Sequence, residues 1–363
     1  MDKSNILVTG LGQCGGKLAD LMKEFNGRYT TTYLNSSLGD IKGLKHADVD
    51  SNVLIYSGTD GSGRDRGKAV NYFFTDKPRV ATFIKRYIHY KHVIIFASLD
   101  GGTGSGTLIE YIKLIKQLTA LTITVVGVLP RLKTELLNLE NTTDCASELD
   151  EIKDLIDGLL LINNNKCSDM NYDEINLEAI QMIDRFFGMV GHHKDGSIDT
   201  DNLDRIILAK GYITLLKLPD EAKNIREAIK IAKENSIFAL PETLSCRFAG
   251  INVMEGIYNK DDFSDKLKVK RTTYSTYNNK FNFIALGGCD MPTDDIEDIV
   301  DEIENKKENE PTDDVIKGFG IKVATSDTKD TSHKREEPIK KRNLFMDDDD
   351  IDSILSNPDD FRF

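Results

Sequence analysis

Gly101-Gly102-Thr103-Gly104-Ser105-Gly106-Thr107 stands between an apolar run at residues 92–97 (HVIIFA) and a helical pattern at residues 108–118, so it reads as a strand-to-helix turn. Its glycines let the backbone approach a ligand closely, and its hydroxyls add donors to the free N–H groups of a helix start. Such a ring of donors suits a polyphosphate. It is not a Walker loop, because the lysine of that pattern is missing. A second glycine turn, Gly10-Leu11-Gly12-Gln13-Cys14-Gly15, follows the run NILVT and opens the first helix. Two phosphate cradles on neighbouring strand ends predict one nucleotide across the sheet edge.

Outward from these turns the first half alternates β-branched runs with amphipathic stretches. Residues 5–9, 31–34, 52–56, 92–97, 121–129 and 158–162 read as strands that are apolar on both faces. That pattern predicts a doubly wound α/β domain with a parallel sheet, over residues 1–170. Residues 171–192 form one long connecting helix, with Ile175, Ala179, Met182, Ile183 and Phe186 on one side. A smaller α+β domain follows at residues 193–306, with strands at 212–218, 243–254 and 281–286 and helices at 220–233 and 294–306.

The chain carries a net charge of -13, placed unevenly. Residues 290–363 hold 23 acidic and 11 basic residues, which leaves 37 and 36 for the rest. The near-neutral body excludes a broadly basic nucleic-acid-binding surface, and no base-reading motif appears, so direct sequence-specific DNA binding is not expected. Residues 307–363 are too polar to offset their ordering entropy and are expected to be a disordered acidic tail. Within it, Lys340-Lys341-Arg342 and a terminal run ending near Phe361 suggest a docking peptide. The five scattered cysteines form no CxxC pair, which argues against a zinc site or a disulfide framework. With no signal-peptide run or bilayer-length apolar stretch, a cytoplasmic protein without membrane contact is expected.

The heptad GGTGSGT paired with GLGQCGG resembles the signature of the tubulin/FtsZ superfamily of GTP-dependent filament proteins, over about residues 1–306. Within it, VVGVLPRLKTE at 125–135 and LINNNK at 161–166 are similar to segments of the TubZ-type proteins of plasmids and phages. The resemblance implies that Gly12, Gln13 and Cys14 lie under the α-phosphate and nucleoside. It implies that Gly102, Thr103, Gly104, Ser105 and Gly106 hold the phosphates, and that Gly61, Ser62 and Gly63 approach the γ-phosphate. Asn35 stands in the first nucleotide loop, in Asn35-Ser36-Ser37, where FtsZ has Asn-Thr-Asp. Glu135 is placed at the ribose, one of Asn163, Asn164 and Asn165 at the base, and Asp184 as the guanine reader. A carboxylate there would accept from guanine N1–H and its amino group, which adenine lacks.

The same resemblance implies that GTP bound to one subunit is hydrolysed with acidic groups from the next, with Mg2+ on the triphosphate and GDP as product. Asp199 matches the first acidic position. The second falls on Asn202, with Asp201 or Asp204 as a substitute; an amide orients water but takes no proton. The expected protein is therefore a GTPase that polymerises head-to-tail and positions plasmid or phage DNA through an adaptor bound to its tail. The alternative is a GTP-binding regulator with weak hydrolysis, and a more remote one is an NAD-dependent oxidoreductase. The last requires an acidic ribose-binding residue where Asn35 stands, and it leaves GGTGSGT unexplained.

Overall fold

Strands apolar on both faces must be covered on both faces, and all six runs of the first half become parallel strands of that kind. They are β1 (Ile6–Leu11), β2 (Thr30–Asn35), β3 (Val53–Ile55), β4 (His92–Ser98), β5 (Thr122–Leu129) and β6 (Gly158–Asn163). The computed structural model describes residues 2–166, 169–263, 266–278 and 280–309. Between the strands lie α1 (Gly12–Phe25), α2 (Leu38–Ile41), α3 (Arg66–Thr75), α4 (Lys77–Lys85), α5 (Thr103–Leu118) and α6 (Leu136–Glu151). The long connecting helix is α7 (Tyr172–Phe187), opened by a capping box in which Asn171 and Glu174 bond each other's backbone.

Beyond α7 come β7 (Gly191–His193), β8 (Gly196–Ile198), α8 (Thr200–Ile207), β9 (Tyr212–Lys217), α9 (Ile225–Glu234), β10 (Ser245–Met254), β11 (Lys268–Asn278), β12 (Phe283–Cys289) and α10 (Thr293–Glu308). β7 and β8 pair antiparallel as a separate hairpin, while β9 to β12 extend the first sheet. Ten strands run in the order β11-β10-β12-β9-β6-β5-β4-β1-β2-β3, and the halves join where Leu159 of β6 pairs Tyr212 of β9. β12 lies antiparallel to both β9 and β10, while β11 is parallel to β10. Side chains on the two faces fill two separate cores. α1, α7 and α8 cover one with Leu18, Met22, Ile183, Phe186 and Ile206; α4, α5 and α6 cover the other with Phe83, Leu108, Ile112 and Leu139.

Three elements differ from the sequence reading. The connecting helix ends at Phe187 rather than 192, because Gly188 caps it and the chain enters β7 at Gly191. β11 is a long edge strand, KVKRTTYSTYN, whose polar residues conceal it from an apolar-run criterion. α9 starts at Ile225 rather than 220, because the side chain of Asn224 accepts from Glu227 N and caps it there. Lys340-Lys341-Arg342 and the terminal peptide with Phe361 lie outside the described residues.

Candidate functional site

Strand order reverses at β1: β2 and β3 lie on one side of it, β4, β5 and β6 on the other. Turns leaving two strands at such a switch point part toward opposite faces and leave a crevice between them. The two glycine turns leave these two strands, and they start level, since Leu11 pairs Ala97.

Glycine is what lets the loops meet. Gly12 has φ +68°, and a Cβ there would stand 2.8 Å from the amide nitrogen of Gly104. A Cβ on Gly104 would stand 2.9 Å from Leu11 O. A Cβ on Gly102 would collide with Ser62 Oγ and lie 2.7 Å from the Arg64 carbonyl carbon, and one on Gly106 would lie 2.7 Å from Arg66 O. Any side chain at these positions forces the turn after β1, the turn at 58–66 and the turn after β4 apart. The 58–66 turn is also stitched to the end of β2: Gly61 N–H and the Thr59 hydroxyl both donate to Ser36 O at 2.8 Å.

Three hydroxyls from three loops converge. Ser36 Oγ and Thr103 Oγ1 are 2.6 Å apart, and Thr103 Oγ1 donates to Ser62 Oγ at 3.2 Å. α1 and α5 both begin here without a side-chain cap; α2, α4, α6 and α10 also lack one, whereas Asp65, Asn171, Asp199 and Asn224 cap α3, α7, α8 and α9. The opening N–H groups of α1 and α5, with the positive ends of their dipoles, therefore belong to the crevice. The other hydroxyls of the heptad turn inward: Ser105 donates to Gly101 O, and Thr107 to Thr103 O at 2.8 Å. Ser105 is thus left with its backbone as the group it offers.

The rim is polar. Asn35 is buried, with Oδ1 accepting from Ser36 N at 2.7 Å and Ser37 N at 3.2 Å. Its amide and that of Gln13 both donate to Asp40, at 3.4 and 3.1 Å, so a residue not singled out from sequence ties them together. Burial, followed by the nearby Asp100, pushes the Cys14 thiol up to about 12, so it stays protonated. Glu135 is exposed at the start of α6, where its carboxylate accepts from Arg64 at 2.5 Å. Of the three asparagines ending β6, Asn163 donates to Asp295 at 2.7 Å and Asn165 donates to Pro130 O at 2.8 Å. Asn164 keeps a buried Oδ1 with no partner, which makes it the one with bonding capacity to spare.

The structure places Asp184 at the far end of α7 from the glycine turns. It accepts from Lys3 at 2.6 Å and from Asn26 and Tyr29 at 3.0 Å, all at the amino end of the sheet. Burial and Asp184 itself push the Tyr29 phenol upward, which keeps it a donor. Asp184 lies twelve residues from Tyr172, about 18 Å along the axis at the usual helical rise. α1 and α7 run side by side in one core, and Asn26 at the end of α1 holds Asp184 near the end of α7. The start of α7 is therefore level with the start of α1. There Tyr172 is 52% exposed, with the Arg131 guanidinium 4.6 Å from its ring centroid. Asn176, half-buried, is one turn further on. The sequence signal for this pair was the i, i+4 spacing at a capped helix start.

Asp199, Asp201 and Asn202 are not brought to the crevice. Asp199 caps α8 by accepting from Asn202 N at 2.8 Å, and Asp201 is exposed on the first turn. α8 ends against the amino end of β6, where Lys210 N donates to Asp157 O at 3.2 Å. The whole length of α7 separates this segment from the glycine turns.

A switch-point crevice floored by two uncapped helix starts and walled by three glycine-dependent loops defines a nucleotide-binding α/β protein. Residues 5–172 match the Tubulin/FtsZ family, GTPase domain. The tubulin-like protein TubZ of Clostridium botulinum C phage is 27% identical over 310 residues, 84% of each chain. A tubulin-like protein CetZ of Pyrococcus abyssi is 26% identical, over 69% of this chain and 72% of its own. The crystal structure of the Clostridium botulinum phage c-st TubZ superposes with a TM-score of 0.76 at 26% identity, covering 85% of this chain and 99% of that one. A GTPγS-form protofilament of Bacillus thuringiensis serovar israelensis TubZ, 15% identical with a TM-score of 0.73 over 87% and 94% of the chains, shares the fold. Among the described residues, no helix is long and apolar enough to cross a membrane.

Proposed function

We propose that this chain binds GTP across the crevice, assembles head-to-tail into filaments, and hydrolyses GTP where two subunits meet. The observation that carries this reading is the separation of its parts. Phosphate-binding groups gather at the carboxyl ends of β1 and β4, while Asp199, Asp201 and Asn202 lie a helix length away. A second copy stacked on the crevice end brings them together; folding alone does not.

In this reading the backbone of Gly12, Gln13 and Cys14 and that of Gly102 to Gly106 holds the phosphates, with Gly61, Ser62 and Gly63 beside the terminal one. Thr103, Ser36 and Ser62 supply hydroxyls, and glycine at 12, 102, 104 and 106 lets the three loops pack together into one cradle. Glu135 borders the ribose. The base stacks on Tyr172, and Asn164 and Asn176 select guanine through amides that both donate and accept. Mg2+ carried on the triphosphate would neutralise part of its charge. The carboxylate of Asp199 or Asp201 from the next subunit, with Asn202, orients the attacking water. Head-to-tail contacts that do not close give an open filament, and the protein works in the cytoplasm. A DNA-binding adaptor held by the tail, through Lys340, Lys341, Arg342 and Phe361, would couple the filament to plasmid or phage DNA. A regulator with weak hydrolysis is the second reading, favoured by Asn202 and by the use of Asp199 as a cap.

Mixing tests the proposal. Gly104→Val removes the cradle and Asp199→Ser removes the carboxylate while keeping a capping hydroxyl. Each variant alone should be nearly inactive, and an equal mixture should recover turnover. A mixture as inactive as its parts contradicts a shared site.

A further inference from the structure

Away from the crevice, on the β7–β8 hairpin, one imidazole and two carboxylates converge. One ligand atom from each of His193, Asp195 and Glu255 lies within 4.8 Å of the others. His193 Nδ1 accepts from Asp195 N at 3.2 Å, which leaves Nε2, 3.5 Å from Glu255 Oε2, as the ring's ligand atom. Two ligands each about 2.1 Å from one ion at a tetrahedral angle are about 3.4 Å apart, so the Nε2–Glu255 span suits shared coordination, and the exposed Asp195 carboxylate is near enough to join it.

The surroundings hold the imidazole and leave the carboxylates mobile. The His193 side chain is 22% exposed, against 57% for Asp195 and 58% for Glu255. Its ring meets Tyr277 edge-on, with centroids 5.2 Å apart. The hairpin is pinned to β11, where Thr276 Oγ1 donates to Gly196 O at 3.1 Å. Lys194 Nζ lies 4.0 Å from Asp195 on a side chain that is 75% exposed. A nitrogen ligand held by packing with two solvent-exposed oxygen ligands is a donor set for borderline dications. Mg2+ and Ca2+ take all-oxygen shells instead.

We propose that His193, Asp195 and Glu255 bind a transition-metal dication such as Zn2+, Ni2+ or Co2+, with water completing its shell. The ion ties the hairpin turn to the segment that follows β10. Because β8 ends at Ile198, the residue before Asp199, it also fixes the backbone that leads into the Asp199 segment. This proposal uses nothing from the nucleotide reading and stands or falls apart from it.

Isothermal titration calorimetry of the full chain with ZnCl2, in millimolar Mg2+, tests it alongside Co2+ absorption spectra. One equivalent should bind, with a Co2+ spectrum lacking thiolate charge-transfer bands. His193→Ala and Glu255→Gln should each weaken binding at least tenfold while leaving circular dichroism and Tm without metal unchanged. Absence of Zn2+ binding at hundreds of micromolar overturns the site. So does equal affinity in both variants, or complete competition by Mg2+.

Discussion

The amide nitrogen of Gly104 lies 2.8 Å from the place a Cβ on Gly12 would occupy, so two turns 92 residues apart are in backbone contact. No other residue type fits either position. Gly12 has φ +68° as well, a left-handed conformation that L side chains adopt only with strain.

Gly12→Ala and Gly104→Ala should therefore each lower stability by about 1–3 kcal/mol and weaken a fluorescent GTP analogue at least tenfold. Gly43→Ala, which meets nothing within 4 Å, is the control and should change neither. Thermal melts and fluorescence titrations read both effects. Full affinity in the Gly104 variant contradicts the placement of the phosphates.

The base end separates two residues with different jobs. Asp184→Ala leaves Lys3 and Tyr29 without their partner, so it should cost about 1–3 kcal/mol and leave the preference for GTP over ATP intact. Asn176→Ala should do the reverse, keeping the melting temperature and narrowing that preference. Competition binding with the two nucleotides distinguishes them. Lost selectivity in a stable Asp184 variant would restore Asp184 as the base reader.

Asp199 caps α8 and, in the proposed function, also supplies a catalytic carboxylate, and substitution can divide the two. Asp199→Ala loses the cap, at about 1 kcal/mol, together with the carboxylate. Asp199→Ser retains a capping oxygen, so stability should hold while turnover falls about a hundredfold. Asn202→Asp adds charge beside it and should raise turnover. Steady-state phosphate release, paired with denaturant melts, reads all three.

His92 gives the fold a predictable acid sensitivity. It is buried at the start of β4, with Nδ1 2.7 Å from Thr122 Oγ1 and Nε2 3.0 Å from Thr124 Oγ1. Burial lowers it from 6.5 to about 3. Above 6.5 both states are neutral and nothing is lost. Below that, the unfolded chain binds a proton that the folded chain refuses, so stability falls until pH nears 3. At pH 5 the loss is about 2 kcal/mol. His92→Gln should show a drop between pH 7.5 and 5 that is smaller by that amount in urea melts. An identical drop contradicts this role for the imidazole.

Much of this was legible from local chemistry. A glycine turn after an apolar run announces its own geometry, so the two turns, the parallel strands and the doubly wound topology follow from residues close together in sequence. Height along a helix does not. Periodicity told which face of α7 Asp184 shares but not which end of the sheet it reaches, and only its bonds to Lys3, Asn26 and Tyr29 reveal that. The joining of both halves into one sheet rests on a single pairing, Leu159 with Tyr212, which no local pattern encodes. Asp40 escaped notice for the same reason: its importance lies in bridging Gln13 and Asn35 from a short helix. Asn163, Asn164 and Asn165 are identical by type, and only their partners tell them apart.

The claim that the catalytic site is completed between subunits is tested most directly by GTP turnover per subunit over a range of protein concentrations, with Mg2+ present. The account predicts a specific rate near zero at low concentration that climbs once a threshold is passed, as assembly brings Asp199 of one subunit to the crevice of the next. A measurable rate that stays flat across the range would mean that each chain hydrolyses GTP alone, which contradicts the shared site.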